Sequence, residues 1–314
     1  MKKFLIHIGI GVIVIYLVFL GLDMIITRNL HYSNARMFRN WNEVFYDSTY
    51  YDLLISGSSR AWVFYDPMIL DSALNVNSYN LGLDGHGITT QVARYHAYRM
   101  THPKPKCIVQ NIDFFTLQPS NKFEREQFLP YLMYDGLFDE IHEEEGYTYI
   151  DKYVPFVRYI GYRDVIFEGF GLPNDIVHSS NLYKGFATSD RKWDPSILYT
   201  TDSLVFMCEE KPSQVFEAFL RELREDSIEV VLVYGPIYRG RMDRVASEEE
   251  QWMYAYFGDC AKRYDCHILN YLWDDMCGST EYFYNATHVN AKGSRIVSEK
   301  LAHDLDSLLN TEGK

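Results

Sequence analysis

"DLLISGSSRAWVFYDP", residues 52–67, decides how the rest of the chain is read. Leu53, Leu54 and Ile55 make an apolar run too short for a helix and closed by a glycine, the mark of a buried strand. The strand stops at Gly57-Ser58-Ser59-Arg60, two hydroxyls and a cation at its exit. Gly and Ser are common turn formers, which is one sufficient explanation. A serine nucleophile is the other. One local string does not separate them.

Outward from this strand the same rhythm recurs. "VNSYNLG" (76–82) reads as a second strand, followed by a helical pattern from Thr89 to Thr101. "KCIVQNIDFF" (106–115), "SIEVVLVYGPIY" (227–238) and "CHILNYL" (266–272) read as the third, fourth and fifth. Helices are expected over 213–226, 246–264 and 291–309. Short apolar strands alternating with helices indicate an α/β chain with a doubly wound parallel sheet covered on both faces. Residues 116–210 break the rhythm and read as a large insertion, a cap or substrate-facing lobe. Within it "DEIHEEE" (139–145) suggests either a metal site or an acidic helix face turned to water.

The N-terminus adds a topological signal. Lys2 and Lys3 precede an apolar run, Phe4 to Ile26, broken only by His7 and Asp23. That length crosses a bilayer. A cleaved signal peptide would have a shorter core and end in small residues, and "LGLDMIITRN" offers no such site. The organisation expected is an uncleaved anchor over 1–28, a juxtamembrane segment over 29–50 and an α/β domain over 51–310. The lysine flank predicts a cytoplasmic N-terminus and a periplasmic or extracellular domain. The formal net charge is −13 with no later basic stripe, which excludes nucleic acid as a partner. Twenty-six tyrosines suit either core packing or stacking on sugars. Five cysteines lack metal-type spacing; Cys260 and Cys266 are near enough in sequence to pair, and small buried side chains are the alternative.

In an open parallel sheet, ligands bind beyond the carboxyl ends of the strands. Strand one ends at Ser59, strand two at "NLGLDGHG" (80–87) and strand three at Asn111 and Asp113; "FYNATHVNAKG" (283–293) precedes the last helix. A serine, a glycine loop, an amide and a histidine thus converge on one edge. A serine hydroxyl is a weak nucleophile until an imidazole takes its proton. The oxyanion formed on attack needs donors already aimed at it, and a third group must hold the imidazole tautomer. Each residue also has a plainer reading: Ser59 as a turn or N-cap hydroxyl, Gly85 as a turn glycine, His288 as a loop histidine. Arg60 could bind an anionic substrate group or lie on a helix surface.

The order Gly-x-Ser, Asn-x-Gly-x-x-Gly, a polar residue after strand three, and a C-terminal x-x-His resembles the SGNH (GDSL-type) hydrolase superfamily. The anchored form, with Gly57-Ser58-Ser59-Arg60 and Asn290-Ala291-Lys292-Gly293, is similar to proteins of bacterial cell-surface polymer acylation, including the alginate O-acetylation and teichoic-acid D-alanylation proteins. The resemblance spans about residues 50–310 apart from the insertion. It implies a flavodoxin-like sheet, Ser59 as nucleophile, His288 as base, and Ser59, Gly85 and Asn111 around the oxyanion. Arg60 and Asp113 become substrate-binding candidates.

Two departures matter. Asn285 stands where the family has aspartate, and the Gly-x-Asn-Asp block is missing, with Asn111 and Asp113 the candidates for its place. The implied function is a serine esterase or O-acyltransferase acting on a cell-surface glycan or acylated polymer, without cofactor or metal. The bilayer would hold its N-terminal helix, and a polytopic membrane acyltransferase is a possible partner. The alternative is a catalytically weak member that supports such an acyltransferase. An α/β-hydrolase elbow, Gly-x-Ser-x-Gly, is approached at residues 57–61 but would follow several strands, and only the anchor precedes Ser59.

Overall fold

The structure, a computed structural model, describes residues 1–119, 125–133, 137, 139, 141, 145–178, 182–199 and 204–311. The chain forms two compact units, Met1–Asp47 with Lys122–Ser180, and Ser48–Asn121 with Asn181–Lys314. In chain order the elements used below are helices α1 (Lys2–Leu30) and α2 (Arg36–Tyr46), strand β1 (Leu53–Ser56), helices α3 (Ser59–Phe64) and α4 (Pro67–Leu74), and strand β2 (Ser78–Asn80). Helix α5 (Ile88–Thr101) and strand β3 (Cys107–Ile112) follow, then helices α6 (Tyr149–Tyr153) and α7 (Arg163–Gly169) and strands β4 (Leu182–Tyr183) and β5 (Phe186–Ala187). The chain continues through α8 (Glu210–Glu225), β6 (Glu229–Tyr234), α9 (Arg239–Met242), α10 (Ser247–Tyr264), β7 (His267–Asn270), β8 (Phe283–Asn285), β9 (His288–Val289) and α11 (Ala291–Thr311).

The larger unit is built on a five-stranded sheet in the order β2-β1-β3-β6-β7, every pairing parallel. Counted along this sheet alone, that is the 2-1-3-4-5 order of flavodoxin-like folds. The central strands are apolar because both faces are covered: β1 and β3 are buried at every position. At the edge, β7 alternates between half-buried and exposed positions. Leu53, Ile55, Val109, Val231 and Val233 share one core cluster with Phe64 of α3 and Leu301 and Leu305 of α11.

Two local features aim the chain at the site. Gly57 has φ +150°, and a Cβ there would lie 2.7 Å from Ala61 Cβ and 2.9 Å from Asn111 Cβ. Only glycine lets β1 turn straight into α3 beside β3. At the other end of the chain, Ser294 and Ser298 of α11 donate to the Phe64 carbonyl at 2.9 and 3.1 Å, and Asp66 N–H donates to Ser298 Oγ at 2.8 Å. These bonds satisfy the frayed end of α3 and tie α11 to the first β–α unit.

In the smaller unit, α1 is exposed along its first two thirds and becomes buried at Asp23, Ile26 and Leu30. Among the described residues it is the one helix long and apolar enough to cross a membrane. Its last third is held by polar bonds: Arg158 pairs with Asp23 at 2.5 Å, Phe156 N–H donates to Asp23 Oδ2 at 2.7 Å, and Thr27 bonds the Tyr159 hydroxyl at 2.6 Å. Trp41 of α2 packs on Phe45, Phe128 and Tyr131 and donates its indole N–H to Gln127 at 2.8 Å. Of "DEIHEEE", Glu140 and residues 142–144 lie outside the described residues. All five cysteines are free thiols, with Cys107, Cys260 and Cys277 buried.

Candidate active site

The site lies where the strand order reverses, between β1 and β3, beyond their carboxyl ends. Ser58 is the extended N-cap of α3 and Ser59 its first residue. The Ser59 N–H therefore has no intrahelical carbonyl to meet. Facing it is the β8–β9 hairpin, in which Asn285 pairs directly with His288 across the buried two-residue turn Ala286-Thr287.

The hairpin sets the histidine tautomer. Thr287 N–H donates to Asn285 Oδ1 at 3.0 Å, and since a backbone N–H can only donate, the amide must present its oxygen there. His288 Nδ1 lies 3.0 Å from that same oxygen, so Nδ1 carries the proton and donates it. Nε2 is left bare, 2.8 Å from Ser59 Oγ, and accepts the serine hydroxyl. The Thr287 hydroxyl lies 3.1 Å from Nδ1. Tyr284 stacks on the ring at 5.4 Å, and the Arg191 guanidinium lies 5.5 Å from the centroid of the Tyr284 ring. Burial, then the charges of Arg60 and Arg191, push the His288 pKa down to about 3. The imidazole is neutral across the physiological range.

Behind the serine, Arg60 and Asp113 form a buried ion pair at 3.1 Å, each side chain 3% exposed. Arg60 reaches the cleft wall, whereas Asp113 turns inward and also caps Phe115 N–H at 2.7 Å. Of the two substrate-binding candidates, Arg60 lines the cleft and Asp113 pairs with it from behind. Asn111 is placed differently from the expectation. Its side chain is buried, with Oδ1 accepting from the Tyr65 hydroxyl at 3.0 Å, and it does not line the cleft. Alternation along β3 turns it to the sheet face covered by Tyr65. Polar groups from Thr116 and Gln118 occupy the cleft wall instead.

Gly85, at φ +74°, does line the cleft, together with His86 and Gly87. Its loop is held by Asn80, the first residue of the Asn-x-Gly-x-x-Gly block, and by Arg94, which the linear pattern does not mark. Asn80 donates to the carbonyls of Ala61 and Tyr65 at 2.8 and 3.0 Å and accepts from Gly82 N–H at 2.8 Å. Buried Arg94 donates to Leu81 O and Gly82 O at 3.0 and 2.8 Å. His86 is pushed down to about 4 by burial and by Arg94. The cleft encloses about 260 Å³, room for a small acyl group. No cluster of three metal-ligating side chains occurs among the described residues.

No family profile matches the chain. No curated protein matches it significantly. Among solved structures, it is similar to a Streptococcus pneumonia protein provisionally described as a platelet activating factor, at 10% identity over 95% of this chain and 99% of that one, with a TM-score of 0.45. It is also similar to a lipase/acylhydrolase from Enterococcus faecalis, at 11% identity over 81% and 95% of the two chains, with a TM-score of 0.36. Both scores fall below one half, so the α/β assignment stands on this chain's own strand order.

Proposed function

We propose that the larger unit is an SGNH-type serine esterase or O-acyltransferase that acts on an acylated polymer or glycan at the cell surface. The observation that carries this reading is the line Ser59–His288–Asn285, with bonds of 2.8 and 3.0 Å and the tautomer that general-base catalysis requires. Ser59 Oγ attacks the acyl carbonyl while Nε2 takes its proton. The oxyanion is met by the N–H groups of Ser59 and Gly85. Nε2–H then protonates the leaving alkoxide, and water or an acceptor hydroxyl repeats the sequence in reverse to release the acyl group. The Lys2-Lys3 flank of α1 supports a cytoplasmic N-terminus with the larger unit outside.

A second reading has its own observation. Asn285 brings no negative charge to His288, and an imidazole held at about 3 is a weak proton acceptor at neutral pH. The unit would then serve as a catalytically weak partner of a polytopic membrane O-acyltransferase. One experiment addresses activity and topology together. A membrane-impermeant fluorophosphonate–biotin probe added to intact spheroplasts should label the wild type and Ser58→Ala but not Ser59→Ala. Labelling that survives in Ser59→Ala sinks the nucleophile. Labelling only after lysis reverses the topology. Silence in lysed and intact cells alike favours the partner reading.

A further inference from the structure

Helix α6 of the smaller unit is amphipathic in the inverse sense to a helix on a protein surface in water. Tyr149, Ile150, Tyr153 and Val154 fall at i, i+1, i+4 and i+5 and share one face, while Asp151 and Lys152 take the other. A surface helix ordinarily turns its apolar stripe to the core. Here Tyr149 is 82% exposed, Ile150 and Tyr153 59% and Val154 43%, and no residue of the helix is buried. The Lys152 side chain, by contrast, is only 10% exposed; it pairs with Asp139 at 3.9 Å and lies 5.5 Å from the Tyr153 ring centroid. Asp151 closes a capping box with Thr148. The polar face is taken up by local bonds. The apolar face, with the Tyr149 and Tyr153 rings stacked at 6.2 Å, points away from the protein.

The end of this segment is fastened to α1. Phe156 stacks on Phe19 at 5.6 Å, its N–H donates to Asp23 Oδ2 at 2.7 Å, and Arg158 pairs with Asp23. Tyr153 lines the same groove as Leu20 and Met24. The anchor sets the level of these contacts. From Phe4 to Asp23 the helix rises about 28 Å, close to the hydrocarbon thickness of about 30 Å. Asp23 and its polar bonds then stand at the far boundary, with Phe19 about 6 Å inside it. Residues 4–19 are exposed apart from half-buried Gly11, and cover by the rest of the unit begins at residue 20. Helix α6 therefore flanks the anchor at the level where an interfacial helix seats its apolar face, about 5–10 Å into the headgroup–acyl boundary. Tyrosine rings favour that level, where one end is apolar and the other wet.

We propose that α6 is a second membrane contact, with Tyr149, Ile150, Tyr153 and Val154 seated in the leaflet on the C-terminal side of α1. The occupant of this face is the lipid surface itself, because the face is continuous with the exposed apolar run of the anchor. The contact is apolar and aromatic and draws on no charge, so a zwitterionic lipid suffices. A second contact beside the spanning helix fixes how the smaller unit tilts on the bilayer, which one helix alone leaves open. The proposal rests on α1 spanning a membrane.

The test places the full chain in phosphatidylcholine nanodiscs, in a Cys208→Ser/Cys266→Ser background that removes the two thiols that are not buried. A bimane fluorophore is attached at Tyr149→Cys, at Ile150→Cys or, as the reference inside the anchor, at Val14→Cys. Both α6 positions are exposed, and either serves if the other labels poorly. Phosphatidylcholine brominated near the headgroup end of its acyl chains should quench the α6 label more than lipid brominated near the chain ends. At Val14, midway along the apolar run, the order should reverse. An α6 label that both lipids leave bright, or that the deep bromines quench more, while Val14 responds, overturns the second contact and leaves the anchor standing. Aqueous iodide then tells what replaces lipid on a bright face: water if iodide quenches it, another protein surface if it does not. A Val14 label that neither brominated lipid dims overturns the anchor, and the second contact with it.

Discussion

His288 is flanked by two regions that handle charge in opposite ways. On the hairpin side, Asn285, Thr287 and the ring form a neutral network in which the amide oxygen accepts from Thr287 N–H and from Nδ1–H. On the strand-exit side, Arg60 and Asp113 form a full ion pair buried in the wall. The site therefore contains a carboxylate, but one spent on a guanidinium and not on the imidazole. The difference teaches that tautomer and basicity are separable. An amide orients the ring as a carboxylate would, yet only a carboxylate would stabilise the imidazolium.

The largest expected effect comes from breaking the charged side. Asp113→Asn leaves the Arg60 guanidinium buried without a counter-charge, which should cost about 3–5 kcal/mol in thermal or urea unfolding of the detergent-solubilised chain. Arg60→Met/Asp113→Asn should recover most of it, because the asparagine oxygen can still cap Phe115. A double variant as unstable as the single one would mean that the pair is not the source of the loss.

Acid separates the two regions next. His86 and His288 are held neutral at about 4 and about 3, below the unfolded value near 6.5. Above pH 6.5 neither state binds the proton and the full stability is present. As pH falls from there toward 4, the unfolded chain takes up protons that the folded chain refuses, so stability declines. His86 alone should cost about 2 kcal/mol by pH 5, with His288 adding to it. Melting temperatures from pH 7 to 5 measure this, and His86→Gln should flatten the decline. A flat wild-type profile would contradict the burial of His86.

The smallest effect sharpens the neutral side. Arg191→Gln removes one of the two cations that depress His288 and should raise turnover of a small acetyl ester about threefold. The acid limb of the pH–rate profile should move upward, because the ring protonates more readily. A change in KM alone would assign Arg191 to substrate binding.

Much of this was legible in the chain itself, for reasons that particular residues make plain. Leu53–Ile55, Ile108–Val109 and Val230–Val233 are apolar runs closed by glycine or polar turns, and each is a central strand. Helices 247–264 and 291–311 fall within one or two residues of their amphipathic patterns. Asn285 and His288 came from the resemblance alone, and the two-residue hairpin that sets them opposite each other is a finding of the structure. The partners that no linear pattern announces lie far apart in sequence: Arg60 with Asp113, Asn80 with the Ala61 and Tyr65 carbonyls, Arg191 over Tyr284. Asn111 was misplaced by one property of strands, since neighbouring residues point to opposite faces and the end of β3 had to be known first. The packing of Trp41 on Phe128 and Tyr131 is likewise non-periodic, and composition alone does not reveal it.

The central claim is that an amide stands in for the acid and leaves His288 a correctly oriented but weak base. A protease triad loses about 10⁴ in turnover when its aspartate becomes asparagine. A hairpin already built around Asn285 should regain about one to two powers of ten when the change is made in reverse. The measurement is hydrolysis of a small acetyl ester by the wild type, Asn285→Asp, and Asn285→Asp/His288→Ala. Asn285→Asp should be faster than the wild type, with its acid limb shifted to higher pH, and the gain should vanish in the double variant because the carboxylate works only through the ring. A rate for Asn285→Asp equal to or below the wild type would contradict the claim, and so would a gain that persists without His288.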